Sequence, residues 1–213
     1  MSTIRRHLSS ISTAHKTADL PTPTTTALVK KTLDSIATTH GTAPNAKKAA
    51  TCNDLVAMLE HVPNTLIGIR DRALLLIGFA GALRRSELVG LNVEDIEITD
   101  EGMILTIRRS KTDQEGQGQR IAIDYGINPA TCPVCAYQAW IEASGIDSGA
   151  VFRHIDKGGH IRERLSGYAV AFIVKKYAKE AGLDPDQYAG HSLRSGFATT
   201  AARNGVNVQE HQP

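Results

Sequence analysis

The sequence of 213 residues, 41% hydrophobic and 22% charged, has the balance of a globular chain with one good core and room for a small additional helical unit. A formal net charge of +2 and only 5% aromatics exclude bulk electrostatics and base stacking as its main routes to nucleic acid, so any such affinity must come from a local basic surface. Three cysteines (Cys52, Cys132 and Cys135) make no disulfide framework, no stretch has the length or apolarity of a membrane span, and Met1–Arg6 lacks the apolar core of a secretory signal. The expectation is a reduced, cytoplasmic protein with no membrane partner.

In chain order, Ile4, Leu8, Ile11 and Ala14 fall near a period of 3.6 and predict a first helix, with Arg5, Arg6 and Lys16 facing outward. Pro21 and Pro23 break it. Leu28, Val29, Leu33 and Ile36 predict a second helix stopped at Gly41. Residues 42–50 are polar and basic and read as a linker. Beyond them, Thr51 to Asp54 resembles a capping box with Asp in place of Glu, opening a helix that buries Leu55, Met58, Leu59 and Val62 and ends at Pro63. The run Ala73–Ala80, flanked by Arg70, Asp71 and Arg72, reads as a buried core helix that bends at Gly81, and Arg84–Val89 opens the next.

The period then changes from 3.6 to 2. Alternating runs around Ile96/Ile98, Ile104/Thr106/Ile107 and Ile121/Ile123 predict a three-stranded antiparallel sheet, with a turn at Asp100-Glu101-Gly102 and a mobile loop at Gly116-Gln117-Gly118. Helices resume over Pro133–Ala143, over Ser166–Ala181 with Ala169, Phe172, Ile173, Tyr177 and Ala181 on the buried side, and over Ser192–Arg203.

Two arginine motifs carry the chemistry, Ala82-Leu83-Arg84-Arg85-Ser86-Glu87-Leu88 and His191-Ser192-Leu193-Arg194, with Arg108-Arg109-Ser110-Lys111-Thr112 between them. A guanidinium donates two parallel bonds to a phosphate and stays charged when desolvated. Histidine exchanges protons near neutral pH, and a lysine in a Gly-flanked hairpin reaches a leaving oxygen. Together they suit one phosphodiester. Singly they are ordinary: taken alone, Arg84 with Glu87 reads better as a weak surface ion pair, and Lys111 as a solvated side chain. Cys132-Pro133-Val134-Cys135 spaces two thiols as a zinc site would, yet four ligands are needed and Cys52, His154 and His160 are distant. A reduced pair at a helix start accounts for it better.

In their order, Leu83-Arg84-Arg85-Ser86-Glu87-Leu88, Ser110-Lys111-Thr112-Asp113 and Gly190-His191-Ser192-Leu193-Arg194-Ser195-Gly196 resemble the tyrosine recombinase (phage integrase) family from about Thr51 to Val208. The resemblance implies a mainly helical α+β catalytic domain (51–213) with a small antiparallel sheet, preceded by a partial helical core-binding arm (1–41) and the linker (42–50). It implies that Arg84 and Arg194 grip the scissile phosphate, that Lys111 is the general acid, that His191 handles the nucleophile's proton, and that Glu87 supports the first arginine. Arg5, Arg6, Arg108, Arg109 and Arg120 are the expected phosphate-backbone contacts. No metal, cofactor or small-molecule substrate is implied.

The implied partners are double-stranded DNA, which would make the protein nucleoid-associated when bound, and other recombinase protomers. The implied activity is site-specific recombination or integration through a 3′-phosphotyrosine. In the family the nucleophilic tyrosine follows the His-x-x-Arg motif by several helical turns. Here Tyr125, Tyr137, Tyr168, Tyr177 and Tyr188 all precede His191. The chain is therefore expected to be truncated at both ends and to bind DNA without cleaving it alone. Two alternatives are a non-catalytic DNA-binding or interfering module and a nonfunctional recombinase fragment.

Overall fold

The computed structural model describes residues 1–42, 47–108, 118–203 and 205. The chain divides into two compact units, Met1–Ala46 and Lys47–Pro213.

The first unit holds α1 (Ser2–Thr17), a short 3-10 turn at Pro23–Thr25, and α2 (Ala27–His40). The Thr26 hydroxyl caps α2 by accepting from the Val29 N–H, and Gly41, at φ +71°, ends it in a conformation that disfavours any side chain. Val29, Leu33 and Ile36 are half-buried, but Ile4, Ile11 and Leu28 are exposed. No residue of 1–42 whose burial is described is buried.

The second unit opens on Lys47–Ala50, within the stretch that composition alone reads as linker. Lys48 N–H donates to the Gln187 carbonyl at 2.7 Å and Ala50 N–H to the Ser192 carbonyl at 2.8 Å, with Ala50 fully buried. Next, α3 (Cys52–Glu60) starts at the anticipated capping box: the Thr51 N–H donates to Asp54 Oδ2, and the Asp54 N–H to Thr51 Oγ1. The core helix α4 (Leu66–Ala80) begins earlier than its apolar run, at a cap from Thr65.

Arg70 and Asp71, expected to flank the apolar run, are themselves buried within α4. Asp71 accepts from Arg70 Nε and Nη2 and from the Tyr177 hydroxyl at 2.9 Å, while Arg70 Nη1 donates to the Arg153 carbonyl. A fully hydrogen-bonded ion pair is the form in which buried charge is tolerated.

Helix α5 (Arg85–Gly90) leads into the antiparallel sheet β1 (Ile96–Ile98), β2 (Gly102–Ile107) and β3 (Gln119–Asp124), in order β1-β2-β3. Met103, Leu105 and Ile107 form the inward face of β2, with Thr106 exposed on the other. After α6 (Pro133–Ser144) comes a second hairpin that the periodicity does not announce, β4 (Arg153–Ile155) with β5 (Ile161–Arg164). The last helices are α7 (Gly167–Glu180) and α8 (Ser192–Arg203).

The buried side of α7 is Val170, Ile173, Val174, Tyr177 and Ala178, so Phe172, placed inside by the sequence pattern, is 80% exposed. It sits one residue short of the stripe, a rotation of about 100° on a helix of 3.6 residues per turn. Helix α4 is the hub, packed against α5, α6, α7 and α8. Among the described residues, no helix is long and apolar enough to cross a membrane. The architecture is mainly helical with small antiparallel sheets.

Candidate functional site

The end of α4 fixes the first motif. Gly81 closes the helix, and Ala82 turns the chain at φ +47°, a left-handed conformation that costs a residue with a side chain about 1 kcal/mol. Arg84 then stands extended as the N-cap of α5. Its N–H donates to Glu87 Oε2 and its Nη1 to Glu87 Oε1, both at 2.7 Å. Glu87 is buried. This is no loose surface pair: one carboxylate satisfies a helix-start N–H and fixes the guanidinium together.

The second motif comes to the same place through glycines. A Cβ on Gly78 of α4 would lie 2.9 Å from Leu88 Cδ2 and 3.0 Å from Leu193 Cδ1. The bare backbone there lets the segment bearing Arg84 and Glu87 and the segment bearing His191 and Arg194 close on one helix. Gly196 seats α8 on the Ala50 carbonyl, 1.8 Å from where a Cβ would be. His191 directly precedes α8, and its carbonyl accepts from the Ser195 N–H at 3.0 Å. Arg194 Nη1 donates to the Ala82 carbonyl at 2.6 Å, tying α8 to the turn that presents Arg84.

A cleft of about 630 Å³ opens here, lined by Arg84, Arg85, Arg164, Tyr168 and His191. Among the described residues no carboxylate lines it. Arg164 is anchored by the Val89 and Leu91 carbonyls and by Asn92 Oδ1. A low-dielectric hollow walled by one sign of charge focuses potential on an anion. Of the residues singled out by sequence, Arg84 and His191 line this cleft, Glu87 is paired with Arg84, and Arg194, outside the lining, is bonded to the Ala82 carbonyl two residues before Arg84. Lys111 and Arg109 lie outside the described residues.

Arg108 and Arg120 stand elsewhere, each against a carboxylate: Arg108 Nε on Asp95, and Arg120 Nη2 on Glu97 at 3.0 Å. Arg5 and Arg6 are exposed on α1. Sequence reasoning missed Arg85, Arg164 and Tyr168. The one available signal for Arg85 is its place beside Arg84.

Three tyrosines are buried: Tyr137, Tyr177 and Tyr188. The Tyr188 hydroxyl accepts from Lys48 Nζ at 2.9 Å, which raises the lysine's pKa against the opposing pull of burial and with help from Asp54. Tyr125 and Tyr168 are exposed. Cys132 caps α6, with Pro133 in the first turn, and its Sγ accepts from the N–H groups of Cys135 at 3.4 Å and Gly126 at 3.2 Å. Burial pushes the Cys132 thiol up, and those N–H donors outweigh it, leaving the pKa below the usual thiol value.

Residues 48–212 match the phage integrase family. Over 211 residues the chain is 38% identical to an integrase/recombinase XerD homolog of Selenomonas ruminantium, covering 97% of this chain and 62% of that protein. It is 27% identical to the Cre recombinase of Escherichia phage P1, over 98% of this chain and 65% of that one. The chain thus spans less than two thirds of the length of these relatives. Among solved structures, the Tn1549 transposon integrase in complex with transposon right end DNA superposes with TM-score 0.67 at 20% identity, over 98% of this chain and 69% of that chain. The XerA recombinase superposes with TM-score 0.59 at 16% identity, over 95% of this chain and 62% of that chain. With the fold, the family match and these relatives in agreement, the chain belongs to the phage integrase family of tyrosine recombinases.

Proposed function

We propose that this chain carries the phosphate-holding half of a site-specific DNA recombinase acting through a phosphotyrosine intermediate. The observation that carries this reading is the closing, on bare Gly78 of α4, of the segment that bears Arg84 and Glu87 and the segment, more than a hundred residues on, that bears His191 and Arg194, with Arg194 bonded to the Ala82 carbonyl. In this reading Arg84 and Arg194 bind the non-bridging oxygens of one DNA phosphate. Their charge is most valuable when phosphorus becomes five-coordinate and the negative charge on those oxygens grows. Glu87 holds the Arg84 fork in place. His191 moves the proton of the attacking hydroxyl, and Lys111 protonates the departing 5′-oxygen. The ester to tyrosine retains the bond energy of the phosphodiester, so religation needs no nucleotide.

These residues grip the phosphate but supply no nucleophile. Tyr137, Tyr177 and Tyr188 are enclosed, and the Tyr188 phenol is held by Lys48. Tyr168 is the tyrosine that reaches the cleft, on the helix before the His-x-x-Arg motif rather than after it. The chain therefore binds duplex DNA, alone or beside another recombinase protomer, without forming a covalent bond to it.

A nicked suicide substrate incubated with the purified chain tests this. The expected result is salt-sensitive binding and no protein–DNA adduct. An adduct abolished by Tyr168→Phe would overturn the nucleophile-free reading and name the attacking residue. Binding that ignores salt would overturn the phosphate reading itself.

A further inference from the structure

Arg85 differs from every other arginine around the cleft. Arg84 is held by Glu87, Arg164 by two carbonyls and an amide oxygen, and Arg194 by the Ala82 carbonyl. Arg85 is half-buried and has no hydrogen bond or ion pair among the described residues. Among the described residues no buried side-chain nitrogen lacks a partner, so the Arg85 guanidinium keeps a face to solvent, where it can meet an anion that arrives from outside.

Its position is built. A Cβ on Gly190 would fall 2.0 Å from Arg85 Cδ, 2.5 Å from Cγ and 3.3 Å from Nε. The side chain therefore lies across the bare backbone of the residue before His191. Arg84 and Arg85 are adjacent in the chain but face different neighbours. Arg84 is held toward Glu87, whereas Arg85 runs toward the His191 side, where Tyr168 and Arg164 form the rim.

We propose that Arg85 is a second phosphate-binding residue, holding the phosphate next along the strand from the one gripped by Arg84 and Arg194, with Gly190 as the seat that positions it. This rests on the reading of the cleft as a DNA phosphate site. Two cations pointing to different walls of one hollow suit two consecutive charges of a polymer better than one. Tyr168, exposed on the same rim, is placed to add a neutral hydrogen bond to that second phosphate.

The test uses the full chain and a mixed-sequence DNA duplex, with affinity measured across a range of salt concentrations. Every phosphate that the protein neutralises adds about 1 to the slope of log affinity against log salt. Arg85→Gln is expected to lower the slope by about one unit, Arg84→Gln combined with Arg194→Gln, which strips the first phosphate of both its forks, by about one, and the three changes together by about two, as two separate phosphates require. Arg85→Lys, which keeps the charge, should restore the slope. Gly190→Ala, which displaces the Arg85 stem but leaves its charge on the chain, should weaken binding while thermal melting shows the fold intact.

An unchanged slope for Arg85→Gln beside a reduced slope for Arg84→Gln combined with Arg194→Gln would overturn the second-phosphate assignment and leave the functional reading standing. A triple variant no lower than the Arg84→Gln, Arg194→Gln pair would overturn it as well, placing all three arginines on one phosphate. If the parent chain binds without salt dependence, the functional reading falls and this inference with it.

Discussion

Helices α1 and α4 are almost equal in length, 16 and 15 residues, and solve opposite problems. Helix α1 carries a narrow apolar stripe with Ile4 and Ile11 still exposed, and among the described residues of its unit none is buried. Helix α4 buries nearly every side, accommodates an ion pair inside its own run, and gives up side-chain volume at Gly78 so that two other segments can close on it. A helix period decides that a segment is helical, but the layers around it decide what it does. Only a helix enclosed on several sides can hold distant residues in one geometry. The cleft therefore draws its rigidity from α4 and its neighbours within the second unit.

The contrast can be broken most forcefully at Asp71. Replacing it with Ala strands the buried Arg70 guanidinium and the Tyr177 hydroxyl, and should cost about 3–5 kcal/mol in denaturant unfolding. A loss under about 1 kcal/mol would mean that the ion pair is not enclosed in solution. Next comes Gly196→Ala, which drives a methyl against the Ala50 carbonyl and should cost about 1–3 kcal/mol by the same measurement.

Alkali sharpens the comparison further. Burial, with help from the Glu94 charge, pushes the Tyr137 phenol up to about 12, and burial beside Asp71 moves Tyr177 the same way. Both hold their protons more tightly in the folded state than in the unfolded one, where tyrosine titrates near 10. Their contribution is therefore complete below about pH 10 and is lost as pH rises toward 12. Unfolding midpoints should fall across that window, and Tyr137→Phe should shallow the fall. The smallest effect belongs to Ile11→Ser on α1, expected to change the unfolding of the second unit by less than about 0.5 kcal/mol, as for an exposed position.

Much of this was legible from pattern alone. The capping box at Thr51, the three strands of the first sheet and the helical stretches follow from local period and turn chemistry, which act over a few residues. Phe172 shows the limit: its place in the apolar pattern suggested burial, yet the neighbours that select the inner face of α7 come from other elements. The β4–β5 hairpin was invisible because Arg153-His154-Ile155 and Ile161-Arg162-Glu163-Arg164 contain too few apolar residues to alternate.

The candidate site divides in the same way. Arg84, Glu87, His191 and Arg194 could be named because they fall in ordered motifs. Arg85, Arg164 and Tyr168 could not, since what sets them on the rim is Gly190, the carbonyls at the end of α5 and the start of α7. Those neighbours are assembled only by folding, with Arg164 and Val89 lying 75 residues apart.

The central claim is that Arg84 and Arg194 act on one phosphate. A double-mutant cycle of duplex DNA affinity with Arg84→Lys and Arg194→Lys, at fixed salt, tests it directly. Two forks on one anion should be coupled, each single change weakening binding and the double change falling short of their sum by about 0.5–3 kcal/mol. Single effects that simply add, or affinities that do not move, would contradict it.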